Sequence, residues 1–525
     1  MRDLKELTGY DIITEEKIPE VNGTGYILSH KKTKARVLVI AHDDENKVFN
    51  IGFRTPPYDD SGIPHILEHS VLCGSRKYPV KDPFVELAKG SLNTFLNAMT
   101  YSDKTVYPVA SCNEKDFENL MDVYLDAVFY PNIYEHTEIM RQEGWHYELE
   151  TVEGELSYNG VVFNEMKGAF SSPEQQMYSK IEKLLFADTP YKNESGGDPA
   201  AIPTLSQERF LDFHRKYYHP SNSYIYLYGD LDMYKELDYI DKEYLSSFDH
   251  REIDSTIAVQ TAYEQMKDES CFYSIAENES EENQTFLTYN MVVGSSLDKK
   301  QSVAMNILEY AIMDAPGAPL KKALVDAGIG EDVFASFDDG IRQTIFSIVA
   351  RNANMSDKER FVSVIRDTLT DLSGHGEEGK AIDRTSIEAA INNFEFKHKE
   401  ANFGRFPKGL MMGLDAFNTW LYDDASALEM FKLNEVYDEL KESLKTGYFE
   451  ELIWEKLVQN TFGMIFVMKP KKGLDKENDA AEKQKLVDYK ASLTEKELEQ
   501  VVSDTKELKL YQETPSPAED MEKVP

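Results

Sequence analysis

A chain of 525 residues, 41% hydrophobic and 11% aromatic, has material for roughly three or four cored domains, which excludes a disordered protein. Its formal net charge of −37 excludes nucleic acid and anionic membranes as natural partners; it would draw in basic peptides, or it serves solubility alone. No stretch of about 18 apolar residues is present, so no transmembrane helix is expected. Three scattered cysteines, Cys73, Cys112 and Cys271, exclude a disulfide framework and fit a reducing compartment.

The first residues, Met1-Arg2-Asp3-Leu4-Lys5-Glu6, carry acids and lack an apolar core. They read as neither a secretory signal nor a transit peptide, so a cytoplasmic location is expected. Residues 26–28, 35–40 and 48–53 are β-branched and aromatic runs and read as strands. Gly62-Ile63-Pro64-His65-Ile66-Leu67-Glu68-His69-Ser70 follows directly. A helix is expected over 63–73, capped by Ser61 or Gly62, with Pro64 tolerated in the first turn and Gly74 as its stop. His65 and His69, four apart, then share one face. Two such imidazoles can grip a zinc ion, and Glu68, near that face, can serve as a proton acceptor. H-x-x-E-H is the inverted zinc motif. Spacing alone leaves open an ordinary surface or core histidine pair.

Asp82-Pro83 opens a short helix ending at Gly90. Residues 94–101 and 105–110 read as two strands around a Ser102-Asp103-Lys104 turn. Helical spacing of Phe117, Leu120, Met121, Tyr124 and Val128 places a core helix over 114–130. A long helix over 160–186 breaks at Ser172-Pro173, a helix covers 206–217, and a strand at 224–228 closes on Gly229. His214 and His219 read as structural. Residues 249–268 look like a polar linker.

A second unit then starts with a strand at 284–293, a helix at 301–313, a short helix at 316–324 and a strand at 333–337. That order matches the one around the first motif, without its histidines. Helices follow at 387–399, 410–421 and 448–460, and a strand at 462–468 closes the unit. His375 and His398 read as isolated surface residues. Residues 475–512, rich in Glu and Lys, read as a helical hairpin turning near 492–494, or as a solvated tail.

Three segments carry a family resemblance: Gly62 to Gly74; Phe95-Leu96-Asn97-Ala98-Met99-Thr100-Tyr101-Ser102-Asp103-Lys104-Thr105; and Gly160-Val161-Val162-Phe163-Asn164-Glu165-Met166-Lys167-Gly168. Together they resemble the pitrilysin/insulinase (inverzincin) metallopeptidases, in particular the presequence-protease and falcilysin branch. The resemblance spans nearly the whole chain, as the amino-terminal half of such an enzyme.

It implies an α+β fold of two homologous pitrilysin-type, metallohydrolase-like domains. Residues 1–255 would form the catalytic zinc domain and 256–470 a metal-free copy. Residues 471–525 would be a helical hairpin leading to a second half. It further implies one Zn²⁺ held by His65, His69 and Glu165, with Glu68 as the catalytic base. Asn97 and Ala98 would lie beside the scissile bond, on an edge strand that accepts substrate as an added β-strand. Some family members carry another glutamate seven residues before the third ligand; here that position is Tyr158, so its role does not carry over. The arginine and tyrosine that the family's second half supplies have no counterpart in this sequence. The expectation is therefore a zinc endopeptidase for unfolded peptides, as a fragment or as a half that pairs with a separate second half. The alternative is a non-catalytic binding or assembly subunit of the same fold.

Overall fold

The computed structural model describes every residue except Met1, Glu378 and Lys380. The first sheet is built from β1 (Tyr10–Ile18), β2 (Gly23–His30), β3 (Arg36–Ala41), β4 (Lys47–Arg54), β5 (Asn93–Leu96), β6 (Met99–Thr100) and β7 (Lys104–Ser111). A two-stranded ribbon of β8 (His146–Glu148) and β9 (Ser157–Asn159) stands apart, and β10 (Ser223–Gly229) returns to the sheet. The strand order is β1-β2-β3-β10-β4-β7-β5, with β6 also on β7. Only the β3–β10 pair is parallel.

Side chains of a strand alternate between faces, and β10 shows what that achieves. Ile225 and Leu227 point into a core shared with Val37, Val39, Phe49 and Ile51. Tyr224, Tyr226 and Tyr228 point the other way, into a core shared with Leu38, Ile40 and Val48. All of β10 is buried, so both faces must be covered.

The second sheet contains β11 (Lys267–Ile275), β12 (Thr285–Ser295), β13 (Asp332–Asp338), β14 (Gln343–Ala353) and β15 (Gly463–Lys472), in the order β11-β15-β12-β14-β13. Its β11–β15 pair is parallel and the rest are antiparallel. The inner strands of the first sheet, β3-β10-β4-β7-β5, have the same order and the same directions. The chain is thus an α+β protein with one sheet plan used twice.

The two sheets exchange covering helices. Pro173–Leu185 follows the first sheet's helices in sequence, yet its Met177, Ile181 and Leu185 pack with Phe286, Val349, Phe466 and Met468 of the second sheet. Lys408–Trp420 lies in the second stretch, yet it covers the tyrosine face of the first sheet. Glycines make that seating possible. A Cβ on Gly409 would fall 2.0 Å from the Tyr228 ring, and one on Gly413 would fall 2.3 Å from the Tyr226 ring. Each large side chain fully buried this way contributes about 1.5–3 kcal/mol.

Several sequence expectations need correction. The motif helix is Ile63–Val71, two residues shorter than expected, because the amides of Leu72 and Cys73 turn back to His69 and Ser70 in a tighter closing turn. Gly74 therefore lies beyond the stop. The strand expected over 94–101 is broken into β5 and β6, with Asn97 and Ala98 in the gap. Strands β1, β11 and β14 were not expected from the pattern; β1 buries only its end residues Tyr10 and Ile18, and half-buried and exposed positions alternate between them. His398 is not isolated, since its ring contacts Glu20 at 3.3 Å across the two units. Nor is His375, which stacks on Trp454 with ring centroids 4.0 Å apart. The acidic C-terminal segment forms two helices, Leu474–Ser492 and Glu495–Glu513, and Leu486 and Val502 dock on Leu149 and Leu156 beside the β8–β9 ribbon.

Candidate metal centre

The motif helix begins at Gly62, whose φ of 71° is left-handed. A Cβ there would meet the backbone of Gly196 and Gly197 at 2.7–2.8 Å, so glycine lets these two segments touch. The contact is used at once: the Gly196 carbonyl lies 3.0 Å from His65 Nδ1. At the helix's far end, Arg76 pairs with the fully buried Asp126 at 2.7 Å. Asp122 accepts from Lys77 Nζ at 2.9 Å, Tyr78 at 2.5 Å and Tyr239 at 2.6 Å. Burial raises the Asp122 pKa, but these donors outweigh it and hold the carboxyl below the usual range. The helix is therefore fixed to the Gly196–Gly197 loop at one end and to the helix Glu114–Phe129 at the other.

His65 and His69 stack edge-on, with centroids 5.0 Å apart. Their Nε2 atoms lie 3.8 Å and 3.7 Å from one oxygen of Glu165. Glu165 sits on the helix Val161–Ala169. The three donor atoms all fall within 4.8 Å of one another, the one such His/Cys/Asp/Glu group among the described residues. Two imidazole nitrogens and a carboxylate are the ligand set of a catalytic zinc, which keeps a fourth position open. Ligand atoms about 2.0–2.1 Å from one ion stand roughly 3.3–3.5 Å apart, so these residues fit the group with only small side-chain motion.

Each imidazole has a partner for its other nitrogen. His65 donates from Nδ1 to the Gly196 carbonyl, and His69 Nδ1 lies 3.3 Å from Glu143 Oε2. Both Nε2 lone pairs are thereby turned toward Glu165. Glu143 was missed in the sequence. It closes the short helix Thr137–Glu143, 74 residues from His69, and nothing local marks it among the 94 acidic residues. It is 8% exposed and accepts from Gln142 Nε2 at 2.7 Å, with the Cys73 thiol at 3.5 Å. Burial alone would raise the Glu143 pKa, but the His69 and Gln142 bonds lower it overall. Burial likewise opposes protonation of His69, yet Glu143, Glu68 and Glu165 together raise its pKa. Cys73 is pushed far up by burial and by Glu143, so its thiol stays protonated and unreactive.

Glu68 is 8% exposed, and no described group donates a hydrogen bond to its carboxylate. Its charge is felt by Tyr107, Tyr124 and Tyr218, whose pKa values burial already raises. An acid held this way beside the two histidines is free to accept a proton. Asn97 and Ala98 occupy the gap between β5 and β6 at the outer edge of the first sheet. The Asn97 carbonyl accepts from the Tyr124 hydroxyl at 3.2 Å, and its amide points back to Pro108 at 3.4 Å. The motif helix packs against β6, so this edge adjoins the metal centre. Tyr158, at the position where relatives can carry another glutamate, is instead packed among Trp145, Tyr147 and Phe163.

The sequence and the fold were compared with those of known proteins. Residues 48–179 match the model for the insulinase family of M16 peptidases, and residues 204–394 match the M16 inactive domain. Residues 468–525 match the segment associated with subfamily C of the M16 peptidases. Protein HypA of Clostridium perfringens is 49% identical over 99% of this chain and 53% of its own length. Presequence protease 1 of Arabidopsis thaliana, chloroplastic/mitochondrial, is 40% identical over all of this chain and 49% of its own length. This chain thus spans about half the length of the curated relatives it matches. Among solved structures, a Helicobacter pylori protease aligns with a TM-score of 0.63 at 16% identity, covering 85% of this chain and 99% of that one. Pitrilysin aligns at 0.59 and 18% identity, covering 89% and 47%. The chain belongs to the M16 (insulinase/pitrilysin) family of peptidases.

Proposed function

We propose that this chain is the zinc-bearing half of an endopeptidase that hydrolyses unfolded peptides. The observation that carries this reading is the convergence of His65, His69 and Glu165 beside the unpartnered carboxylate of Glu68. His65, His69 and Glu165 would hold the ion; zinc, when bound, supplies Lewis-acid polarisation and an acidified water. The chain's own residues do the rest. Glu68 takes the proton of the attacking water on its carboxylate and returns it to the leaving amine. The open edge at Asn97 and Ala98 aligns the peptide main chain, which selects extended segments over any one side chain. The net charge of −37 draws basic peptides.

The chain covers about half of its relatives' length, which supports pairing with a second half, from the same gene or another, that completes the chamber. Three free cysteines suit a reducing compartment, in this reading the cytoplasm. The test is Glu68→Gln, assayed with a complementary half supplied. Zinc content should stay at one ion per chain while peptide hydrolysis falls by about 10²–10⁴. Undiminished cleavage overturns the proposal. A wild type that binds no zinc and cleaves nothing restores the binding-subunit reading.

A further inference from the structure

We infer a second ligand site, for a small molecule bearing a phosphate-class oxyanion, at the seam where the first sheet meets the segment after the helix Lys408–Trp420. A cavity of about 680 Å³ opens there, and none of the four metal-centre residues lines it. Its walls carry the basic residues Lys34, Arg36, Arg54, His250 and Arg251 beside the acids Glu252, Asp423 and Asp424.

Part of this charge is neutralised locally. Arg36 pairs with Asp424 at 2.5 Å and His250 with Glu252 at 2.9 Å. Asp423 is committed to capping, accepting from the Ala425 amide and the Ser426 hydroxyl. Among the described residues, Lys34, Arg54 and Arg251 have no carboxylate within ion-pair distance. Arg54 is the telling one. It is half-buried, stands over the Tyr224 ring at 5.8 Å, and spends two nitrogens on Ser255 Oγ and the Leu421 carbonyl. Its other terminal nitrogen has no acceptor among the described residues. A partly desolvated guanidinium without a counter-charge is costly unless an anion completes it. Three cations from three segments exceed what one carboxylate needs and match a tetrahedral dianion with several oxygens.

The remaining wall mixes apolar residues with the polar Thr14, Ser29, Ser221 and Asn222. Its apolar part includes Leu28, Ile253 and the buried Trp420, whose indole N–H has no acceptor among the described residues. The cavity is far larger than a bare anion, so an organic phosphate fits better than the free ion. Arg54 belongs to the first sheet and Trp420 to the exchanged helix, so a ligand here would tie the two units together.

The experiment measures binding of inorganic phosphate and of AMP to the intact chain, by calorimetry and thermal shift, with ionic strength held constant by sodium chloride. Saturable binding and a rise in Tm are expected. The surface double variant Lys34→Ala/Arg251→Ala should weaken binding at least about tenfold, and Arg54→Lys should do likewise by losing the fork. Zinc content should be unchanged in all. AMP binding more tightly than phosphate supports an organic phosphate; equal affinities support the anion alone. No saturable binding of either probe, or equal binding by wild type and the double variant, overturns the proposal.

Discussion

The two sheets follow one plan but treat the helix after their equivalent central strands in opposite ways. After β4 comes Ile63–Val71, and after β12 comes Lys299–Glu309. Counting from each helix start, the third, sixth and seventh residues are His65, Glu68 and His69 in one and Gln301, Ala304 and Met305 in the other. Ala304 and Met305 are fully buried, and Gln301 spends its amide on the Val293 carbonyl at 2.9 Å. The second helix is also conventionally capped, with Asp298 accepting from the Gln301 amide, whereas the first starts on a left-handed glycine with no side-chain cap. Where no metal is held, the sequence obeys the local rules of helix start and core filling. Where the candidate metal centre stands, the side-chain cap is given up and histidine and glutamate take three of the buried or half-buried positions, while Ile63, Ile66, Leu67 and Val71 still fill the core. The equivalent helix holds its position with Gln301, Ala304 and Met305 in place of the two histidines and the glutamate.

The largest stability effect should separate these two helices. Met305→Ala should cost about 2–5 kcal/mol in chemical denaturation, while zinc bound per folded chain stays constant. His69→Ala, at the equivalent position, should do the reverse and abolish zinc binding. Zinc lost from Met305→Ala would break the comparison. The exchange of helices gives the next test. Gly413→Val drives a branched side chain into the Tyr226 ring and should cost about 1–3 kcal/mol or more, weakening both units in one transition. Two separated unfolding transitions in the wild type would show that the exchange does not couple them.

Glu143→Gln sharpens the role of the buried partner of His69. Zinc affinity, read by competition with a chelator, should fall about 10–100-fold. An unaltered affinity would reduce Glu143 to packing. The smallest effect concerns pH. Glu236 is 2% exposed, one of its oxygens has no partner, and burial, with help from Glu118, pushes its carboxyl up to about 7 from 4.5. A raised acid binds more protons folded than unfolded, so its contribution falls as pH rises from 4.5 to about 7 and stays low above. Glu236→Gln should therefore stabilise by on the order of 1–3 kcal/mol at pH 8 and by nothing at pH 4. Equal gains at both pH values would exclude burial of the charge as the cause.

His65, Glu68 and His69 were legible because the helical period places them together over one turn, a purely local rule. Tyr224 to Tyr228 was legible as a continuous β-branched and aromatic run, and residues 475–512 were read as a helical hairpin from their charged composition, with a solvated tail left open. The break at Asn97 and Ala98 was not legible, since apolar residues flank it on both sides and only pairing with β7 decides where the edge strand leaves the ladder. Glu165 entered through the residues around it, by likeness to a family, and its distance to the histidines is a property of the fold.

By itself, the sequence determined many of the helices, the most apolar strands and the paired imidazoles, because these follow from spacing along one segment. Only the tertiary structure decided that Glu143 would support His69, that Gly196 would orient His65, and that each sheet would be roofed by a helix from the other's stretch. The physical reason is that these contacts join residues tens to hundreds of positions apart. A buried carboxylate is distinguished from an exposed one by what surrounds it, and strand order and burial set that after the chain has closed on itself.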